Sequence, residues 1–154
     1  MDFSIDDKHR MLRETVRKFV EKELAPITKE CDQQGRCPLE LVAKSVALGI
    51  YGVGIPVEYG GTGGDAQTSM MVVEEVSRVA AGMSGMINGS LFTNMIVRFG
   101  TEAQKREILP KIAAGQALGA FALTEASAGS DSANQQTKAV LEGDVEVPLT
   151  ADET

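Results

Sequence analysis

The stretch FALTEASAGSD, residues 121–131, lies where the pattern of apolar residues changes from helical to strand-like. Up to Gly115, apolar residues recur every three or four positions, which is typical of helices that bury one face. Residues 117–124, ALGAFALT, are instead short, apolar and centred on an aromatic residue. That pattern predicts a β-strand.

Two more short strands are predicted at residues 137–140 and 145–147. The sequence therefore predicts a mainly α protein. A helical domain at residues 1–115 is followed, at residues 116–154, by the first strand or strands of an incomplete β-domain.

The loop after the predicted strand gathers neutral hydrogen-bond donors. Thr124, Ser127 and Ser130 offer hydroxyls, and Gly129 allows a positive φ and a close approach of the backbone to a ligand. Donors without a nearby cation suit a phosphate or the edge of a flavin. The alternative is a strand end followed by an ordinary Asp/Ser turn, and the residues alone leave both open.

The first helices are marked by local start and stop signals. Residues 4–7, Ser-Ile-Asp-Asp, have the form of a capping box. Pro26 lacks an N–H, so a kink or break is predicted just before it, and Gly35 ends that segment. A second helix is predicted from Pro38 to Gly49.

Three further helices are predicted, at residues 65–80, 84–100 and 101–115. Asp65 is expected to cap the first of them, and Thr101-Glu-Ala-Gln104 has the form of a second capping box. Pro110 is predicted to interrupt the last helix, because proline removes one helical hydrogen bond.

The glycine-rich run Gly60-Gly-Thr-Gly-Gly64 allows two interpretations. It could be a phosphate cradle. It matches neither G-x-G-x-x-G nor a P-loop, which needs Gly-Lys-Ser/Thr, so a flexible connection that leads to the cap at Asp65 is favoured.

The Met-rich stretch with Met83, Met86 and Met95 is either ordinary core or the wall of a ligand pocket, because methionine adapts to irregular shapes. The two interpretations do not exclude each other.

Charge is distributed unevenly along the chain. The net charge is −7, and residues 116–154 carry seven acidic side chains against Lys138 alone. This acidic segment argues against nucleic acid as a partner, because nucleic-acid binding needs a basic face. It is also only weakly apolar, so we expect it to be solvated or incomplete.

Cys31 and Cys37 are expected to be free thiols of a cytoplasmic protein, with a disulfide as the alternative. His9 is the single histidine, and too few other ligands accompany it for a metal site. Residues 79–97 contain no charge, but several polar side chains make a buried helix of a soluble protein the expectation rather than a membrane span.

Several segments resemble, in order and spacing, the N-terminal part of the acyl-CoA dehydrogenases. Together they span roughly residues 3–140. They are ELAPI at 23–27, IPVEYGGTGG at 55–64, VEEVSR at 73–78, FGTEAQKREILPKIAAG at 99–115 and FALTEASAGSD at 121–131.

The resemblance implies a helical domain, a β-domain and a C-terminal helical bundle, with FAD and an acyl-CoA thioester bound between them. A carboxylate would remove a proton from the carbon next to the carbonyl, and a hydride would pass from the next carbon to the flavin. The product would be a 2,3-enoyl-CoA. An electron-transfer flavoprotein would then accept the electrons.

By position, the resemblance implies that the flavin segment comprises Phe121, Leu123, Thr124, Gly129 and Ser130. Leu123 and Thr124 would present backbone and hydroxyl donors to the flavin ring and so tune its electronics as well as its position.

For the substrate, the resemblance implies that Ser130 also contacts the CoA side, and that Ile87 and Leu91 face the acyl chain. An apolar wall at these two positions would exclude water and limit the length of the chain.

This sequence departs from the family in two places. Ala126 stands where the family often has proline, which loosens the loop without removing any chemistry. The resemblance fails near Asp144, where residues 141–154, LEGDVEVPLTADET, follow. We therefore expect a truncated dehydrogenase that is inactive alone, with no residue assigned as catalytic base, because the base belongs to the missing domain.

The alternative is a non-catalytic helical binding module, or a half-enzyme that docks with a complementary chain. The surface around Phe121 and Leu123, which a β-domain would otherwise cover, would provide the contact. Assembly with further copies of the chain is a related expectation.

Overall fold

The computed structural model describes residues 5–88, 90–120, 122–142 and 145–149. The chain divides into two compact units, Met1–Ala120 and Phe121–Thr154. The domain boundary expected after Gly115 stays a prediction. In the first unit the α-helices are α1 (Asp7–Phe19), α2 (Ala25–Gln34), α3 (Glu40–Ala47), α4 (Ala66–Ala80), α5 (Ser84–Asn88), α6 (Ser90–Phe99) and α7 (Glu102–Ala113).

The start of α1 differs from the prediction. The N-cap is Asp6, whose carboxylate accepts the N–H of His9 at 2.8 Å, and the helix begins at Asp7. The helix start predicted near Ser4 is therefore wrong, and Ser4, the first residue of the predicted capping box, lies outside the described residues. The extended backbone of Asp6 places a charged acceptor opposite the free N–H groups of the first turn, as an N-cap requires.

A π-helical segment, Val20–Leu24, separates α1 from α2 directly before Pro26. The N–H of Ala25 reaches back to the Val20 carbonyl, which gives the wider turn of a π-helix. The break predicted before Pro26 is therefore confirmed. Its cause is that Pro26 has no N–H to donate to the helical hydrogen-bond pattern. Gly35 then ends α2 in the left-handed conformation, with φ 59°.

Two of the predicted helix starts are confirmed. Asp65 caps α4 through the N–H of Thr68 at 2.8 Å, and Thr101 caps α7 in a complete capping box with Gln104. The interruption predicted at Pro110 is wrong, because α7 continues through it to Ala113. The helix accepts the proline although the Arg106 carbonyl loses its usual donor there.

The helical unit has two hydrophobic clusters. In the first, buried side chains of α1 and the π-segment pack against α4 and α5, together with Ile50 and Val53 of the connection after α3. The second cluster joins that connection to α3 and α7. Its fully or nearly fully buried members are Val42, Tyr51, Ile55, Tyr59, Leu109, Ile112 and Ala113.

The second unit contains an antiparallel pair of strands, β1 (Lys138–Glu142) and β2 (Val145–Leu149), in a register that pairs Val140 with Val147. Both predicted strands are therefore present, each slightly longer than expected. The strand predicted at residues 117–124 is wrong for the described residues 117–120 and 122–124, which form no ladder. A strand needs a partner for its backbone hydrogen bonds, and β1 pairs with β2 instead.

None of the described helices has both the length and the apolar composition that a bilayer span requires.

Candidate functional site

Residues 125–128, within the stretch 121–131, form a tight, closed turn. The N–H of Glu125 donates to the Ala128 carbonyl at 3.0 Å, and the N–H of Ala128 donates back to the Glu125 carbonyl at 3.2 Å. Ala128 is buried, whereas Ser127 and Gly129 on either side of it are exposed. The turn therefore buries Ala128 and leaves Ser127 and Gly129 accessible to solvent.

The Glu125 carboxylate joins this turn to a later part of the unit. One oxygen accepts the N–H of Gln136 at 2.7 Å, and the other accepts the N–H of Thr137 at 2.9 Å. The side-chain amide of Gln135 donates to the Leu123 carbonyl. Residues 123 and 125 are thus both fixed to the consecutive residues 135–137.

These neutral donors also set the protonation state of Glu125. The hydrogen bond from the Gln136 N–H, followed by those from Thr137, holds the pKa of the Glu125 carboxyl below its ordinary value. Donors that point at the ionised oxygens favour the charged form. Glu125 is therefore a structural anion with both oxygens engaged, which makes it a poor proton acceptor.

Thr124 lies between the two fixed residues and is exposed. Among the residues that the structure describes, neither its N–H nor its hydroxyl has a hydrogen-bond partner. Leu123 is 42% exposed, and the Ser130 side chain is exposed as well. Leu123, Thr124 and Ser130 thus lie in one short exposed segment, in which the N–H and the hydroxyl of Thr124 are available as donors.

Gly129 does not use the left-handed conformation that a glycine allows. Its φ is not positive. A Cβ placed on Gly129 would meet nothing within 4 Å. The space beside this residue is therefore open, and a ligand could approach the backbone there without strain.

The other predicted site residues are placed differently. Ile87 is completely buried in the first hydrophobic cluster. Leu91 lies in α6, but its side chain is outside the described part of the chain, and Phe121 is outside the described residues altogether. Whether Ile87 and Leu91 face an acyl chain stays a prediction.

The glycine-rich connection does not have the form of a phosphate cradle. The N–H groups of Gly60, Gly61, Gly63 and Gly64 all donate to carbonyls of residues 53–57. A Cβ on Gly61 would overlap the Ile55 backbone. Gly61 and Gly64 are needed for close packing, and the interpretation as a connection to the Asp65 cap is favoured by these contacts.

The sulfur-containing side chains are divided between the helical core and the surface. Met83 and Met86 are partly buried against it, whereas Met95 is 44% exposed. Cys31 and Cys37 are free thiols, as predicted, and both line a surface cavity of about 750 Å³ beside the end of α4.

Sequence reasoning found the exposed donors but missed the role of Glu125 and its partners Gln135, Gln136 and Thr137. The signal available was an acidic residue inside a neutral polar loop, with no basic residue nearby to pair with it. The identity of its partners depends on a contact across eleven residues, which local patterns do not reveal.

Comparison with known proteins gives consistent results. The family model described as acyl-CoA dehydrogenase, N-terminal domain, matches residues 6–116. A short-chain specific acyl-CoA dehydrogenase of Clostridium acetobutylicum is 44% identical over 147 residues, which cover 94% of this chain and 38% of the relative. This chain thus spans well under half the length of that relative.

Two solved structures are similar in fold as well as in sequence. Butyryl-CoA dehydrogenase from Megasphaera elsdenii superposes with a TM-score of 0.82 at 39% identity, covering 94% of this chain and 39% of the other. A glutaryl-CoA dehydrogenase from Mycobacterium smegmatis in complex with FADH2 superposes with a TM-score of 0.81 at 32% identity. The superposed region covers 90% of this chain and 36% of the glutaryl-CoA dehydrogenase chain.

Proposed function

The chain belongs to the acyl-CoA dehydrogenase family, and on that premise we propose that residues 122–130 supply one part of an FAD site. The proposed activity is the oxidation of an acyl-CoA to a 2,3-enoyl-CoA. The observation that carries this proposal is the exposed Thr124, whose N–H and hydroxyl have no partner within the described residues.

The residues of this loop suit a flavin in both chemistry and space. A flavin ring edge carries acceptors that need neutral donors, and Thr124 and Ser130 offer hydroxyls and N–H groups. Beside Gly129 there is room for a ligand to reach the backbone. A relative of known structure is described as a complex with FADH2, which supports the choice of this cofactor.

FAD, when bound, supplies the hydride acceptor of the reaction. The residues of this chain then have three tasks: to bind the flavin edge, to orient it, and to offer donors that stabilise negative charge on it. The two attachments on either side of Thr124 support this proposal, because they hold the backbone of residues 123–125.

No catalytic base is assigned to this chain. Glu125 is the carboxylate nearest to the proposed site in sequence, but both of its oxygens accept backbone N–H groups. A base that removes a proton from a substrate needs a free oxygen within hydrogen-bond reach of that proton.

The substrate is proposed to be an acyl-CoA thioester, with Ser130 on its CoA side. Ile87 and Leu91 remain the proposed wall for the acyl chain. The burial of Ile87 means that any such contact would require α5 to open. An electron-transfer flavoprotein is the proposed electron acceptor, and a cytoplasmic location and assembly with a complementary chain or further copies remain proposals.

The test is to map flavin binding by NMR, for which a chain of 16.4 kDa is suitable. Uniformly ¹⁵N-labelled protein is titrated with FAD, and in parallel with FMN and ADP as the two halves of the cofactor. The proposal predicts shifts of the Leu123, Thr124 and Ser130 amides with FAD and FMN but not with ADP. No shift in this segment at millimolar FAD would overturn it.

A second candidate is a non-catalytic binding module. The observation that favours it is the exposure of Phe99, at 75%, one helical turn from the half-exposed Met95. Sedimentation of the purified chain with and without FAD separates the two candidates. Self-association that Phe99→Ser abolishes, together with an absence of flavin shifts, would favour the module.

A further inference from the structure

We propose that Glu125 and Gln135 are positioning residues, which fasten the proposed flavin segment, residues 122–130, to residues 135–137. Thr124 would then be held in an ordered conformation before the cofactor binds. The inference rests on the proposed function, because it concerns the same site. It assigns a role to the glutamate in the Thr-Glu motif that the binding proposal itself leaves unused.

The geometry brackets Thr124 on both sides. Before it, the Leu123 carbonyl accepts the Gln135 amide, and after it, the Glu125 carboxylate accepts two backbone N–H groups. All three donors come from consecutive residues. Thr124 is therefore held between two fixed points, while its own donors stay free of partners in the described part of the chain.

The carboxylate is specifically suited to this attachment. Each of its two oxygens takes one N–H, at 2.7 and 2.9 Å, and hydrogen bonds to an ionised acceptor are stronger than neutral ones. A glutamine at position 125 keeps one acceptor and turns an NH2 group toward the other N–H. Two donors would then face each other, and one attachment would be lost.

The attachment matters because ordering a loop during binding weakens affinity. The turn at residues 125–128 is closed by its own backbone bonds, but these do not fix its direction relative to residues 135–137. Glu125 and Gln135 supply that connection. We therefore expect their loss to weaken flavin binding without removing any atom that touches the flavin.

The test uses Glu125→Gln, with Glu14→Gln as a control that removes the same charge from an exposed position of α1. Amide hydrogen exchange of Gln136 and Thr137 reports the attachment, and FAD titration by NMR reports binding. We expect exchange at both amides to quicken several-fold and the Kd for FAD to rise several-fold in Glu125→Gln. Glu14→Gln should change neither quantity.

A pH titration without FAD gives an independent reading. In the wild type, the Gln136 and Thr137 amide shifts should follow a midpoint below the ordinary pKa of a glutamic acid, and Glu125→Gln should abolish that transition. Among the described residues no cation contributes to the lowered pKa, so the transition belongs to these hydrogen bonds.

The outcomes distinguish this inference from the proposed function. Unchanged amides in Glu125→Gln would show that the attachment is absent in solution, whatever FAD does. Altered amides with an unchanged Kd for FAD would show that the attachment is structural only. Wild-type protein that shows the pH transition but no flavin shifts would overturn the proposed function, and the positioning role with it, while leaving the attachment itself established.

Discussion

The Arg17 guanidinium donates to both oxygens of the Glu75 carboxylate, at 2.9 and 2.7 Å, and so joins α1 to α4. The Glu75 side chain is 3% exposed, whereas Arg17 is half-exposed. The Nε atoms of Arg13 and Arg78 lie 3.5 and 3.6 Å from the same carboxylate. Three cations thus converge on one nearly buried anion, which makes its removal costly.

Glu75→Gln is expected to lower the free energy of unfolding by about 2 kcal/mol, because a buried acceptor of charged hydrogen bonds is replaced by a neutral group. The loss is smaller than the roughly 3–5 kcal/mol that is typical when a fully buried pair is broken, because Arg17 reaches water. Urea unfolding followed by circular dichroism at pH 7 measures it. The control Glu14→Gln should be neutral, and equal effects of the two variants would contradict this role.

Acid should remove the same contribution from the wild type. The hydrogen bonds from Arg17 hold the pKa of the Glu75 carboxyl below its ordinary value. The stabilisation is therefore complete above the pKa of the unfolded chain, about 4.3, and is lost as pH falls through the lower folded pKa. The difference in free energy of unfolding between wild type and Glu75→Gln should therefore narrow as the pH falls from about 5 to about 2. A difference that widens toward acid would contradict it.

Two of the helix starts could be predicted because they depend on local chemistry. Asp65 and Thr101 each precede a helical pattern with a side-chain acceptor at the right spacing, and both are caps. The apolar pattern of residues 117–124 predicts a strand, but the described residues 117–120 and 122–124 form none. The local pattern could not reveal this, because a strand forms only where a partner is available. At Pro110, tertiary packing of Leu109 and Ile112 outweighs the missing hydrogen bond.

The candidate site shows the same division. Exposed donors at Thr124 and Ser130 follow from residue type and loop position, and these were found from the sequence. The attachment of Glu125 to Gln136 and Thr137 depends on the path of the chain between them. Likewise, the helical pattern identified Ile87 as apolar but could not tell core from pocket wall.

Gly61→Ala is expected to destabilise the helical unit by about 3 kcal/mol, the upper end for forcing extra atoms into a packed site. A Cβ there would lie 2.5 Å from the Ile55 Cβ and overlap its backbone carbonyl. The matched control is Gly129→Ala, where the new methyl group meets no atom within 4 Å. Thermal unfolding measures both. A stable Gly61→Ala variant would show that the connection can move away.

Pro110→Ala is expected to stabilise the helical unit by about 2 kcal/mol. Proline inside a helix costs about 3 kcal/mol, and its rigidity in the unfolded chain returns only about 0.4–1 kcal/mol. Alanine restores an N–H that can reach the Arg106 carbonyl within α7. Chemical denaturation gives the value. A destabilised variant would mean that the proline ring fills space in the second hydrophobic cluster.

Ile87→Ala decides whether this residue belongs to the core or to an acyl-chain wall. Its side chain is completely buried, and truncating such a side chain costs about 2–5 kcal/mol. The control is Met70→Ala, because Met70 is 72% exposed on α4 and its truncation opens no cavity. Urea unfolding without ligand should therefore separate the two variants by at least about 2 kcal/mol. Equal stabilities would mean that Ile87 is free of the core in solution, and an acyl-CoA could then reach it without α5 opening.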